Sequence, residues 1–400
     1  MSRVLGSVTL RLAWRNVLRQ RRRTALLSLV VIYVTVAILF MLGFLDGYGE
    51  SLVESYAEYV EAPVVVAPLA WWEDPDPENG FSALPQVDHP RVLARTPRLP
   101  LYALLRSPYR AQGGVVLGVD PEGEKALSRV PFKVAEGRWL AAPGEVVLGY
   151  RLAQRLDLKV GERLVVETGK GALGLTVVGL VKAGVSNVDF AGVYLHLQDA
   201  QALTGVLATH LALKVQRGQE EAVARELNKT LRQGLEARGV WSLMGPIRAD
   251  YEGSRLFLLP LLALFLLLAA LAVVSTAYVS VRERLKEFAV AESLGLTPGK
   301  LALQVALEAA IASGLGFLLG LLLGYALLLY TATHDVFGPL MRLSVELLPE
   351  AGLAEHLYTS VRPSYALFAA LVVLLSALLA FLFPGRLLLR LEVSRYLKEA

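Results

Sequence analysis

Four apolar stretches dominate the sequence, at residues 24–45, 256–281, 301–330 and 365–383, and none contains Lys or Arg. A run of about 20 such residues matches the thickness of a bilayer. Hydrocarbon offers the backbone no hydrogen-bond partner, so each run can cross only as a helix. An integral membrane α-helical protein with four transmembrane helices follows. Composition agrees: 54% of the 400 residues are hydrophobic and 19% charged, too apolar for an ordinary soluble domain. With no cysteine, neither disulfides nor cysteine-ligated zinc can hold the chain together. Glu308 is the one acid within the four stretches. It lies near an end, where headgroups or a partner helix would lower its cost.

The first stretch follows Arg19, Arg21, Arg22 and Arg23, as the core of a secretory signal would, but it is too long and lacks a small-residue cleavage site. It is expected to remain as a transmembrane helix, after an amphipathic cytoplasmic helix at 1–23. Basic residues orient the rest. Arg282, Arg284, Lys286 and Lys300 lie between the second and third stretches, and Arg386, Arg390, Arg395 and Lys398 follow the fourth. Both termini and the 282–300 segment are therefore expected in the cytoplasm. Transmembrane helices at 256–281, 301–330 and 364–385 complete the path, with a cytoplasmic tail at 386–400. By alternation, 46–255 and 331–363 lie outside, and the cell inner membrane is the expected location. These flanks account for the excess of 40 Lys and Arg over 36 Asp and Glu, so no nucleic-acid partner is expected.

The segment 46–255 is domain-sized. Leu52, Tyr56, Tyr59 and Val60 continue the first helix at helical spacing, and Met244, Ile247, Tyr251 and Ser254 repeat the period before the second span. Two helices side by side would make a stalk; two short caps on a separate domain are the alternative. A strand at 64–68 precedes an exposed loop at 71–80, rich in Pro and acid. Its Trp71 and Trp72 grip an apolar client, lie against lipid headgroups or, as aromatic pairs more often do, pack on their own domain. Runs at 115–119, 145–148, 163–167, 175–181 and 193–197 read as strands, with Gly169, Lys170 and Gly171 turning a hairpin. Leu152, Ala153 and Leu156 mark a short helix. Val223, Leu227, Leu231 and Leu235 mark another over 220–237. A large α+β extracytoplasmic domain between helices 1 and 2 results.

The segment RERLKEFAVAESLGLTPGK at 282–300 is short, charged and set between two spans. Leu285, Phe288 and Ala289 share one helical face, and Glu283 and Glu287 another. Gly295 and Pro298 end the helix. Such a helix is either a handle for a cytoplasmic protein or a loop resting at the headgroups. As a handle it is expected to bury Phe288 against that protein, with Glu283, Arg284, Glu287, Val290, Leu294 and Gly295 completing the contact. In the third span, Ala312, Gly316, Gly320 and Gly324 recur every fourth residue, a small-residue ridge that lets another helix approach closely. The neighbour is either within the chain or on a second copy.

These features resemble the ABC-transporter permease family that includes the lipoprotein-release permeases, the MacB exporter and FtsX. Glu283, Arg284, Glu287, Phe288 and Gly295 match its coupling segment, and LAWRNVLRQRRRT at 12–24 its N-terminal helix. EGRWL at 136–140, EVVLG at 145–149, LKVGERL at 158–164, VVG at 177–179 and QALTG at 201–205 resemble its external core domain. The LDGYGESLVES run at 45–55 is more similar to the lipoprotein-release branch than to FtsX. The resemblance implies mechanotransmission: a permease subunit that passes ATP-driven motion from a cytoplasmic ABC ATP-binding subunit to its external domain. It would extract or export a lipoprotein or other apolar client, handed to an external acceptor protein. It also implies a second permease copy or homologous permease, and ATP and Mg on the partner ATPase with no cofactor in this chain. The alternative is an FtsX-like membrane regulator that activates an external enzyme and moves no cargo.

The chain's own residues point away from an enzyme. No GxxxxGK[ST] loop occurs; near Gly169 and Lys170, position 164 is Leu and position 171 is Gly. Neither HExxH nor GxSxG appears, and His89, His196, His210, His334 and His356 show no ligand spacing. No catalytic, cofactor-binding or metal residue is therefore expected. His334 beside Asp335 reads as a solvated loop pair or a proton pair, and Pro260 as a kink near the outer end of the second span.

Overall fold

The computed structural model describes residues 14–293, 296–347 and 354–389. The chain divides into a helical unit, Met1–Gly47, Glu252–His334 and Tyr358–Ala400, and a sheet unit, Tyr48–Tyr251 with Asp335–Leu357.

In the helical unit, Leu and Ala carry long uninterrupted helices. Among the described residues, three are long and apolar enough to cross a membrane, Thr24–Val60, Ile247–Ser275 and Gly299–Thr333, with a shorter apolar helix at Ser364–Leu378. The fourth expected crossing falls on the helix Ser364–Leu389. Leu26, Leu29, Leu318, Leu322 and Leu374 are each more than 60% exposed. Water would penalise that much outward apolar surface, whereas lipid would not. Inward, Val34, Ile38, Ala269, Ala369 and Val372 pack together. Pro260 lies in the first turn of the helix Leu258–Glu283, where its missing N–H breaks no helical bond. At one end of the bundle, Tyr365 Oη donates to Asp46 Oδ2 at 2.8 Å and Arg362 Nη1 lies 3.0 Å from the same oxygen.

The sheet unit holds ten strands among the described residues: β1 Val64–Pro68, β2 Val92–Arg106, β3 Ala111–Val119, β4 Val134–Gly137, β5 Glu145–Gly149, β6 Arg163–Thr168, β7 Gly171–Val181, β8 Val193–His196, β9 His210–Val215 and β10 Leu235–Gly239. Around a ring, β2 pairs with β3, β3 with β8, β8 with β5, β5 with β7, β7 with β6, and β6 with β2. Closure removes the edges. Alternate residues, among them Leu99, Leu101, Val146, Leu148, Leu164, Val166, Leu175 and Val177, fill one core. The first half of β2 leaves the ring to pair with β9, which continues through β1 to β10. The helix Glu220–Thr230 covers this wing, seating Val223 and Leu227 against Val64, Val66 and Leu213.

Several expectations need correction. The helix over 220–237 stops at Thr230, where Leu231 is already extended, and Gly234 at φ 89° then turns the chain into β10. The 71–80 loop is partly helical, with Leu69–Glu73 an α-helix and Pro77–Asn79 a 3-10 turn. Trp71 is buried against the His210 ring, and the Trp72 indole N–H donates to the Glu236 carbonyl, so both anchor their own domain. The 331–363 loop contains the helix Gly338–Leu347. Its 335–357 stretch joins the sheet unit, with Glu355 N–H donating to Gly184 O at 2.8 Å and Arg151 paired with Glu346 at 2.9 Å. His334 stacks on Tyr330, whereas Asp335 pairs with His356 at 2.7 Å.

Candidate coupling site

The helix Leu258–Glu283 ends at Arg284, whose φ of −109° and ψ of 15° break the helical path for one residue before the helix Leu285–Ser293. The Arg284 side chain turns inward at the end of Leu258–Glu283, where a cation suits the helix dipole. It is 9% exposed. Its Nη1 donates to both Glu308 oxygens at 2.9 and 3.1 Å, and its Nε to Glu287 Oε2 at 3.0 Å. The guanidinium also lies 5.0 Å from the Phe288 ring centre.

Glu308 accepts further bonds from Asn16 Nδ2 at 2.7 Å and Gln304 Nε2 at 3.4 Å. Glu287 accepts from Arg19 Nη2 at 3.2 Å. Two cations and two anions thus join the N-terminal helix, the short helix and the helix Pro298–Thr333 in one network. Burial alone would lower the Arg284 pKa, but the hydrogen bonds and charge of Glu308, then of Glu287, raise it. The hydrogen bond from Arg284 holds the Glu287 carboxyl below its usual range. Both remain ionised at neutral pH.

Phe288 is 5% exposed in a cluster with Val281, Leu301, Ala302 and Val305. This corrects the expectation that it faces a cytoplasmic partner: it nails the short helix to the chain's own long helices. Arg284 is turned inward likewise. The outward face instead carries Glu283, Lys286, Glu287 and Val290, the last 56% exposed. Leu294 and Gly295 lie outside the described residues, and Pro298 opens the following helix, with Thr297 as its N-cap.

The small-residue ridge meets the first long helix of the same chain. A Cβ on Gly316 would come within 2.7 Å of the Ser28 carbonyl oxygen, and one on Gly320 within 2.7 Å of Thr35 Cβ. Gly324 abuts Leu39, and Ala312 is buried beside Leu27 and Val31, its carbonyl accepting from Ser28 Oγ at 2.9 Å. Sequence reasoning missed Asn16 and Arg19 as members of the network. The signal was present in Glu308, since an acid within an apolar span calls for an inward partner. Among the described residues no group of three His, Cys, Asp or Glu could hold a metal ion.

A bundle of apolar helices with a large α+β domain inserted after the first, and a short anchored helix between two later ones, defines a membrane permease. Residues 24–230 match the MacB-like periplasmic core domain, and residues 261–393 the FtsX-like permease C-terminal domain. The chain belongs to this MacB/FtsX family of ABC transporter permeases. The lipoprotein-releasing system transmembrane protein LolC of Neisseria meningitidis is 28% identical over 52% of this chain and 54% of that protein, so the chain spans about half of LolC's length in the match. An uncharacterized ABC transporter permease of Mycobacterium tuberculosis is 27% identical over 71% of this chain and 76% of its own length. Among solved structures, the periplasmic region of MacB from Actinobacillus actinomycetemcomitans matches with a TM-score of 0.34 and 12% identity, over 46% of this chain and 91% of that one. The extracellular domain of the ABC-type transporter YknZ from Gram-positive bacteria matches with a TM-score of 0.30 and 13% identity, over 38% and 83%.

Proposed function

We propose that the chain is the permease subunit of an inner-membrane ABC complex, with four membrane crossings and both termini cytoplasmic. A separate cytoplasmic ATPase, carrying ATP and Mg, grips the short helix Leu285–Ser293. Its motion passes to the periplasmic domain, which extracts or exports a lipoprotein or other apolar client. The carrying observation is the division of the short helix into two faces. Arg284 and Phe288 bind it to the long helices, and Glu283, Lys286 and Val290 are exposed. A push on the exposed face cannot be absorbed by a loose loop. It passes instead through Phe288 and Arg284 to the long helices that they contact, and an ATPase that binds one arrangement of those helices better than another shifts the equilibrium between them. A second permease, identical or homologous, completes the assembly, since cyclic pairs are the commonest closed arrangement.

The test is reconstitution in liposomes with a cytoplasmic ABC ATP-binding subunit from the same source that co-purifies with this permease. Lys286→Glu and Val290→Glu together are expected to weaken the ATPase complex by about 2 kcal/mol, roughly 30-fold in affinity, with an unchanged melting temperature. Unchanged assembly and unchanged stimulated hydrolysis would remove the coupling role. With a lipoprotein present, ATP-driven release supports transport. Stimulation of a bound external hydrolase without release would replace that reading by membrane regulation.

A further inference from the structure

The end of the first long helix is wound as a π-helix over Tyr56–Val60, a local widening found frequently at functional sites. Only Ala62 and Pro63, both buried, separate Glu61 from β1. There is no slack linker. Basic side chains grip this end from several sides of the sheet unit. Arg129 reaches Glu54 Oε1 at 3.3 Å and Glu58 Oε2 at 3.4 Å, while its backbone N–H donates to the Glu58 carbonyl at 2.9 Å. Lys214 on β9 lies 2.8 Å from Glu58 Oε2, and Arg217 just beyond it 3.0 Å from Glu54 Oε2. From β2, Arg98 donates to the carbonyl oxygens of Val60 and Glu61.

These contacts are unequal. The side chains of Arg129 and Arg217 are 53% and 73% exposed, and exposed pairs contribute little. Arg98 is 1% exposed and Glu124 0%. Glu124 takes the Arg98 Nε at 3.1 Å and Nη2 at 2.6 Å. With its charge met by Glu124, the guanidinium spends its remaining donors on the last carbonyls of the helix, the negative end of its dipole. Replacing such a buried pair by apolar groups is often no loss of stability. Its use is therefore geometric: a rigid planar fork holds two carbonyls and one carboxylate at fixed positions.

We propose that Arg98 is the pin of a socket that fixes the end of the long helix to strand β2, so that displacement of the helix is delivered to the sheet. The relay reading supplies only the source of the motion; the socket is a property of the resting chain. Hydrogen exchange on the full chain in lipid nanodiscs tests it. In the parent, amides of Tyr56–Glu61 are expected to exchange as slowly as those of β2. In Arg98→Gln they are expected to exchange at least about tenfold faster by local opening, with Val146–Leu148 and Leu175–Val181 unchanged. Arg98→Lys keeps the charge beside Glu124 but not the fork, and is expected to show the same local change if Arg98→Gln does not fold. Fast exchange at Tyr56–Glu61 in the parent, or an equal rise throughout the sheet in either folded variant, would overturn the socket. With the ATPase bound, the complex carrying Arg98→Lys is expected to keep its ATP hydrolysis on the partner subunit while losing any nucleotide-dependent protection change in the sheet unit. Retention of that change overturns the transmission role. Its absence in the parent tells against the relay and leaves the resting socket standing.

Discussion

At the scale of single residues, the Arg284–Glu308 pair is the contact whose loss should matter most in the helical unit. Both side chains are nearly enclosed, and removing one leaves a desolvated charge without its partner. Arg284→Ala is expected to cost about 3 kcal/mol, read as a lower melting temperature in detergent, whereas Arg284→Met with Glu308→Leu is expected to recover most of it. A double variant no better than the single one would show that packing, not the uncompensated charge, sets the cost. His210 allows a pH prediction. It is fully buried, and desolvation followed by the charge of Arg98 lowers its pKa from 6.5 to about 3. Between those values the unfolded chain binds a proton that the folded chain refuses, so stability rises with pH and is lost on acidification. The slope is at most about 1.4 kcal/mol per pH unit. Glu61 opposes it: burial raises its pKa above 4.5, so its contribution is lost as pH rises. The difference between parent and His210→Gln isolates the histidine. Denaturant midpoints followed by tryptophan fluorescence should fall less steeply in His210→Gln from pH 6.5 downward; parallel slopes would contradict the buried neutral imidazole. The short helix within 282–300 was legible in sequence, since Glu283, Arg284, Glu287 and Phe288 announce an amphipathic turn. Which way each faces was not, because a helical period gives a face without naming what covers it. Phe288 turned to its own helices, and Glu308 found Arg284 24 residues earlier in the chain.

At the scale of elements, close helix approach in lipid depends on small residues, and the third span separates two kinds. Gly316 and Gly320 face the first helix at a distance that leaves no room for a side chain, while a Cβ on Gly314 meets nothing within 4 Å. Gly320→Leu is expected to destabilise the bundle by about 1–3 kcal/mol through overpacking. Gly314→Ala is expected to stabilise it by about 0.5–1 kcal/mol, as alanine replaces glycine inside a helix. Thermal melts of both in the same detergent check the assignment; equal effects would mean that the ridge does not meet the first helix. The ridge was visible in the spacing of Ala312, Gly316, Gly320 and Gly324, but spacing could not say whose helix it serves. In the sheet unit, strands that read as short apolar runs, such as β1 and β5, or as apolar alternation, such as β7, were legible. β2 was not, for Pro97, Pro100, Arg95, Arg98 and Arg106 within it argue against a strand. Its length is explained by a change of partners, β9 over its first half and β3 over its second. The buried Arg98 at that changeover is tolerated because Glu124 and two helix carbonyls receive it.

At the scale of the whole molecule, the relay depends on which side of the bilayer each segment occupies, and charge supplies the argument. The flanks expected inside carry Arg282, Arg284, Lys286, Arg386, Arg390, Arg395 and Lys398, while the 331–363 segment carries more acids than bases. Three helices are long and apolar enough to cross by the described residues alone, and the fourth apolar helix decides where the C-terminal segment lies. Because the chain has no cysteine, a single introduced thiol reports its side without background. Lys159→Cys, in the sheet unit, is expected to react with a membrane-impermeant maleimide in intact cells. Lys286→Cys, on the short helix, is expected to react only after the membrane is opened. Lys398→Cys separates three crossings from four: an odd number puts it on the side of Lys159, and an even number on the side of Lys286. Protection of both Lys286→Cys and Lys398→Cys in intact cells fits four crossings with the short helix within reach of an ATPase. Labelling of Lys286→Cys from outside would end the relay, since no cytoplasmic engine could touch that helix. Labelling of Lys398→Cys alone would leave the relay standing and remove the fourth crossing.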